Sequence, residues 1–107
     1  MHIMIVNFSL KDLSEADYGW ACEEKFAGAF RRVPGLVSKI WLRNAGTNTY
    51  GGVYVWENRA AMLAFQNSEL GRTVSTFPHF TNVRVTDFDV LEAPTRTTNG
   101  FVAVAAS

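Results

Sequence analysis

Cysteine is nearly missing from this chain. Cys22 stands alone among 107 residues, which rules out an internal disulfide or a thiolate cluster and fits a reducing cytoplasm. Histidine is as scarce: His2 and His79 are the only two, with no paired ligand spacing, so no dedicated metal site is expected. Neither sign of charge prevails, because ten Lys and Arg residues balance ten Asp and Glu. No basic stripe exists to recruit nucleic acid or anionic lipid. Long apolar runs are lacking too. Met1 to Val6 has neither the basic start nor the length of a signal peptide, and Asn7 interrupts it well short of a membrane span. A soluble protein with no membrane partner is expected. No Gly-rich phosphate loop follows the first strand, and Gly51-Gly52 falls between two strands, so a nucleotide fingerprint is absent. There is no internal repeat and no low-complexity segment.

What the chain does have is aromatic side chains, 13% of its residues, rich enough to furnish both a core and the walls of a pocket for a flat ligand. The organising stretch is Tyr50 to Asn58, running into Arg59 to Phe65. Val53 and Val55 alternate with Tyr54 and Trp56, so both faces of this strand are apolar and both need cover. Asn58 is placed to cap the helix that follows.

Taken in order, His2 to Leu10 forms a first strand, and Ser14 with Asp17 resembles a capping box that opens a helix. Tyr18, Cys22, Phe26, Ala29, Phe30 and Val33 fall at spacings of three and four, giving one packed face. Cys22 on that stripe is expected to be a small buried hydrophobe. Trp20 lies beside the stripe, implying a wide buried face or a contact with a second subunit. Pro34-Gly35 stops the helix. Leu36 to Leu42 is a strand, and Arg43 to Thr49 connects it to the central strand as an antiparallel hairpin. Ser68 caps a short helix carrying Leu70, Val74 and Phe77, which Pro78 closes. Phe80 to Leu91 is the last strand, and a change of parity between Val83, Val85 and Phe88, Val90 calls for a bulge or bend near Asp87. The domain is expected to span residues 1–94. Residues 95–107 form a tail, linker-like from Thr95 to Gly100, with Phe101 to Ala105 as a small edge strand or a frayed end.

The order strand, helix, strand, strand, helix, strand is the α+β, ferredoxin-like βαββαβ pattern, an antiparallel sheet with helices on one face only. Cover for the other face comes most simply from a second copy, so a homodimer is expected.

Val33-Pro34-Gly35-Leu36, Lys39-Ile40-Trp41, Gly51 to Val55 and Ala60 to Phe65 together resemble the YdhR-like monooxygenases, a family of dimeric α+β barrels related to the antibiotic-biosynthesis monooxygenases. The resemblance spans about Pro34 to Pro94. It implies a pocket between sheet and helices. In the antibiotic-biosynthesis branch it also implies oxygenation of an aromatic or polyketide-like molecule with no flavin, metal or haem. The superfamily also holds polyketide cyclases and haem-degrading enzymes, so a cyclase or isomerase, or a dimer that only binds small ligands, are the rival readings. In a cofactor-free oxygenation the substrate's own anion reduces oxygen to a radical pair that recombines. The protein then supplies a proton acceptor, a polar group for the oxyanion and dry walls.

On those terms His79 and Asn7 are the candidate catalytic residues. A histidine suits proton transfer, and His79 either leans over the pocket or lies on a surface loop. Asn7 shares an alternating set with Ile3 and Ile5, and its amide either bonds backbone or faces a ligand. Trp41, Tyr54, Trp56, Phe65 and Phe77 are candidate substrate walls or plain core. Arg43 and Arg84 could hold a substrate oxyanion, a solvated strand edge or an intersubunit ion pair. In the haem-degrading relatives an asparagine on strand one, a tryptophan and a histidine carry the site. Asn7 matches the first, but Phe65 stands at the tryptophan position, and Ser75 lies nearer than His79 to the place of the histidine.

Overall fold

The computed structural model describes residues 1–101. The chain runs β1 (His2–Leu10), α1 (Glu15–Ala21), a π-helical turn (Cys22–Phe26), α2 (Ala27–Arg31), β2 (Leu36–Asn44) and β3 (Thr49–Trp56). It continues through α3 (Arg59–Gln66), α4 (Glu69–Ser75), β4 (Phe80–Asp89) and α5 (Glu92–Thr97). The strands form one four-stranded sheet in the order β2-β3-β1-β4, antiparallel at every junction. This is the α+β ferredoxin-like topology that the element order implies. No helix among the described residues is long and apolar enough to cross a membrane.

Local chemistry places the helix starts where the cap residues stand. Ser14 Oγ accepts from the Asp17 amide at 3.1 Å, Asn58 Oδ1 from Ala61 at 2.8 Å, and Ser68 Oγ from Gly71 at 3.1 Å. The first helix is not uniform, however. Tyr18, Cys22, Phe26 and Phe30 are spaced by four, and in a regular helix each such step drifts by about 40° around the axis. The wider π turn, in which the Ala27 amide reaches the Cys22 carbonyl, absorbs that drift and keeps the stripe over the sheet.

Under these helices lies the core. Met4, Val6, Phe8, Tyr50, Tyr54 and Trp56 from the sheet pack with Tyr18, Phe30, Met62 and Phe65 from the helices. At one end of this inner face the ring of the buried His2 bridges Asp87 Oδ2 at 2.7 Å and Asp89 Oδ1 at 2.9 Å. The parity of β4 therefore needs no break near Asp87. Val85, Asp87 and Asp89 face inward opposite Val6, Met4 and His2, and Phe88 faces outward opposite Ile3. The extra residue sits earlier, where the pairing slips between Asn7 and Ser9 and Asn82 takes a φ of 53°. The outer face carries Ile3, Ile5, Val53, Val55, Ile40 and Phe88. Ile40 is 56% and Phe88 53% exposed in the single chain. Trp20 is likewise exposed.

Pro94 lies within the first turn of α5, where its missing amide costs no helical hydrogen bond. The stretch expected to be linker-like from Thr95 is thus helical as far as Thr97. The edge strand considered for Phe101 to Ala105 falls almost wholly outside the described residues.

Gly51 shows what closeness the sheet demands: its φ is 144°, and a Cβ there would run into the Val6 carbonyl. Gly51→Ala should therefore lower unfolding stability by about 3 kcal/mol or more in urea titration. A change under 1 kcal/mol would show that β1 and β3 do not approach this closely.

Candidate active site

A cavity of about 190 Å³ lies between the sheet and α3 and α4. Met4, Val6, Phe8 and Tyr54 form its floor, Phe65 and Val74 its roof, and Phe80, Val83 and Val85 its β4 side. Val83 and Val85 are partly wetted, so the mouth opens along this edge strand. Gln66, Ser75 and the Tyr54 phenol are the polar side-chain groups in the lining. An apolar chamber of this size exceeds the roughly 150 Å³ void that accepts benzene in a protein core.

Behind one wall sits a second, smaller void of about 20 Å³, which shares Phe8, Tyr54, Val74 and Phe80 with the large cavity. Lys39 reaches it from β2. Its Nζ lies 3.5 Å from the Phe30 ring centre, 3.4 Å from Trp41 and 4.5 Å from Tyr54. The register that pairs Lys39 with Tyr54 and Trp41 with Gly52 makes this box, and Gly52 gives it room, since a Cβ there would lie 2.9 Å from Lys39 Cε. No carboxylate pairs with Lys39 among the described ion pairs. Burial of the ammonium lowers its pKa to about 7, against a small opposing pull from Cys22. Burial also raises the Tyr18 and Tyr54 phenols and the Cys22 thiol. The group in this box that changes charge near neutral pH is Lys39.

Of the residues the sequence nominates, the structure brings Tyr54 and Phe65 together in the large cavity, and Trp41 beside Tyr54 in the small one. The others stand elsewhere. His79 turns its Nδ1 back to the Lys11 carbonyl at 2.9 Å, and the Lys11 amide returns a bond to the His79 carbonyl. It staples the start of β4 to the end of β1. Asn7 projects from the outer face, flanked by Gly51 and Arg84 on the neighbouring strands, away from the cavity. Trp56 is completely buried and packs on Phe65 and Tyr54. Phe77 sits among Phe26, His79 and Phe80. Arg43 lies on the opposite rim of the sheet, 3.8 Å from Glu15 and largely exposed. Lys39 is the residue not singled out from the sequence. Its signal was there in a lysine within a strand apolar on both sets, but the box appears only once β2 is registered against β3 and Phe30 is laid over it.

The donor set does not suit haem. No histidine lines the large cavity, Ser75 stands on its roof, and His79 is engaged with Lys11 outside it.

The pattern of the family described as "Putative mono-oxygenase ydhR" matches residues 3–101. Among solved structures, HapK from Hahella chejuensis superposes with a TM-score of 0.70 at 19% identity, covering 87% of this chain and 95% of that one. SnoaB, a cofactor-independent oxygenase from Streptomyces nogalater, gives 0.65 at 18% identity, covering 86% and 95%. The heme-degrader MhuD from Mycobacterium tuberculosis gives 0.59 at 22% identity, covering 85% and 96%. At these identities the likeness is one of fold. No curated protein matches the sequence significantly.

The lowered pKa of Lys39 has a measurable sign. Below about pH 7 both folded and unfolded chains hold the proton, and above it only the unfolded chain does, so stability rises with pH from about 7. The raised Cys22 thiol opposes this above its ordinary range near 8.5. Urea titrations from pH 6 to 8.5 should show wild-type stability rising relative to Lys39→Met. Parallel profiles would mean that the amine is not enclosed.

Proposed function

This chain belongs to the YdhR mono-oxygenase family, and on that footing we propose that it oxygenates a small aromatic or polyketide-like molecule held in the cavity beneath α3 and α4. The observation that carries this reading is the cavity itself: about 190 Å³, walled mostly by aromatic and aliphatic side chains, with Gln66, Ser75 and the Tyr54 phenol as its polar groups. Such a lining favours a flat, mostly apolar ligand and keeps water from a reactive anion. Tyr54 and Phe65 are the aromatic walls in this assignment.

In the reaction class proposed, a phenol loses its proton and the resulting anion passes one electron to dioxygen. The two radicals recombine at a ring carbon. The peroxide so formed loses water, leaving a quinone, so that one oxygen atom enters the product and the other leaves as water. The substrate supplies the electrons, and no bound cofactor is assigned.

The protein acts as a homodimer in this reading. The apolar outer face of Ile3, Ile5, Ile40, Val53, Val55 and Phe88 is uncovered in one chain. A second copy of the same face meets it with like chemistry.

With 1-naphthol as probe under ¹⁸O₂, the expected result is oxygen uptake matched to product and one ¹⁸O atom per quinone by mass spectrometry. A rearranged product without oxygen uptake would replace this reading with a cyclase or isomerase. Tight binding with no product would leave a ligand-binding dimer.

A further inference from the structure

We propose that Lys39 is the proton acceptor of this site, and that its substrates are planar phenols or enols whose hydroxyl enters the small void at Nζ while the ring fills the large cavity. The assignment rests on the oxygenase reading for its second half, in which the anion meets dioxygen, while its first half stands on the packing and burial around Lys39.

Four observations converge on it. An amine set against three ring faces is an unusual object, because the rings favour the ammonium while the loss of water disfavours it by more. Here burial prevails and draws the pKa of the amine down to about 7. The void beside it, about 20 Å³, has room for an oxygen atom or a water. Tyr54, Phe8, Val74 and Phe80 line both this void and the large cavity, so the two adjoin along these side chains, and a substituent that passes between them from a ring in the latter meets Nζ. Lastly, the other titratable groups facing Lys39 are ill suited to accept a proton. Cys22 from the π turn, Tyr18 from α1 and Tyr54 from β3 all hold their protons more tightly than usual because they are buried. Phe30 on α2, Trp41 on β2, Val74 on α4 and Phe80 on β4 bring no charge to the void.

The step is a single proton transfer. The O–H bond of the substrate breaks, an N–H bond forms on Nζ, and an oxyanion–ammonium pair replaces two neutral groups within the aromatic box. Each ion is desolvated and each supplies the other's partner, which the empty box denies to Lys39. No electron moves in this step. In the oxygenation, the ammonium then returns its proton to the peroxide anion formed when dioxygen adds to the ring, and the neutral amine is restored as the hydroperoxide loses water.

The ionisation can be read without oxygen. With 1-naphthol bound under nitrogen, its absorbance should titrate at least one pH unit lower than in buffer, a tenfold gain in acidity. In Lys39→Met the bound naphthol should titrate at or above its free value. An equal downward shift in both proteins would overturn the assignment. Should Lys39→Met fail to fold or to bind, the wild-type protein labelled with ¹³Cε-lysine gives a second reading. The Lys39 resonance should titrate near pH 7 when free and at least one unit higher with naphthol bound, and an unchanged midpoint would overturn the proposal. Because neither readout consumes oxygen, a failed ¹⁸O₂ experiment beside a positive titration would remove the oxygenase reading and keep Lys39 as the base. The reverse result would keep the oxygenase and remove Lys39.

Discussion

A sheet with two apolar faces and helices enough for only one is the constraint on which this structure turns. β3 states it most sharply. Tyr54 and Trp56 look toward the helices and are nearly or wholly sealed from water, while Val53 and Val55 look the other way, opposite Ile5 and Ile3. The alternation of a strand allows no other arrangement, since a slip by one residue would move every side chain to the wrong face. Gly51 secures the register by letting the β1 backbone come close.

Chemistry on the inner face follows from how unevenly the helices cover it. Over β2 and β3 the stripe of the first helix packs against the sheet, and the partly buried Lys39 there lies against three aromatic rings. Over β1 and β4 the coverage thins, and the cavity between the sheet and the short α3–α4 pair opens toward the edge strand. An apolar cavity beside a lysine whose pKa burial draws down to about 7 suits a reaction through a substrate anion. One packing pattern thus supplies both the space and the base.

Much of this was legible in the chain. The three caps at Ser14, Asn58 and Ser68 follow from residue type and spacing because each depends on contacts within a few residues, and the hairpin of β2 and β3 and the topology follow from the order of the elements. The π turn was not legible, since a stripe spaced by four reads as an ordinary helix until it must lie along a sheet. In β4 the inward Asp87 and Asp89 disguised the parity, because their partner His2 lies at the far end of the sequence. The site suffered in the same way. His79 and Asn7 drew attention by side-chain type, yet one is spent on a backbone carbonyl and the other faces outward opposite Gly51 and Arg84. Lys39 was passed over because a lysine reads as surface until its strand register and the overlying Phe30 are known.

The outer face gives the account its most direct test. If a second copy shields Val53, Ile40 and their neighbours, sedimentation equilibrium at micromolar concentration should return the mass of two chains, and Val53→Lys should return one without loss of the helical circular dichroism. A wild-type mass of one chain under the same conditions would contradict the account at its root, because the sheet would then carry its apolar outer face unshielded in water.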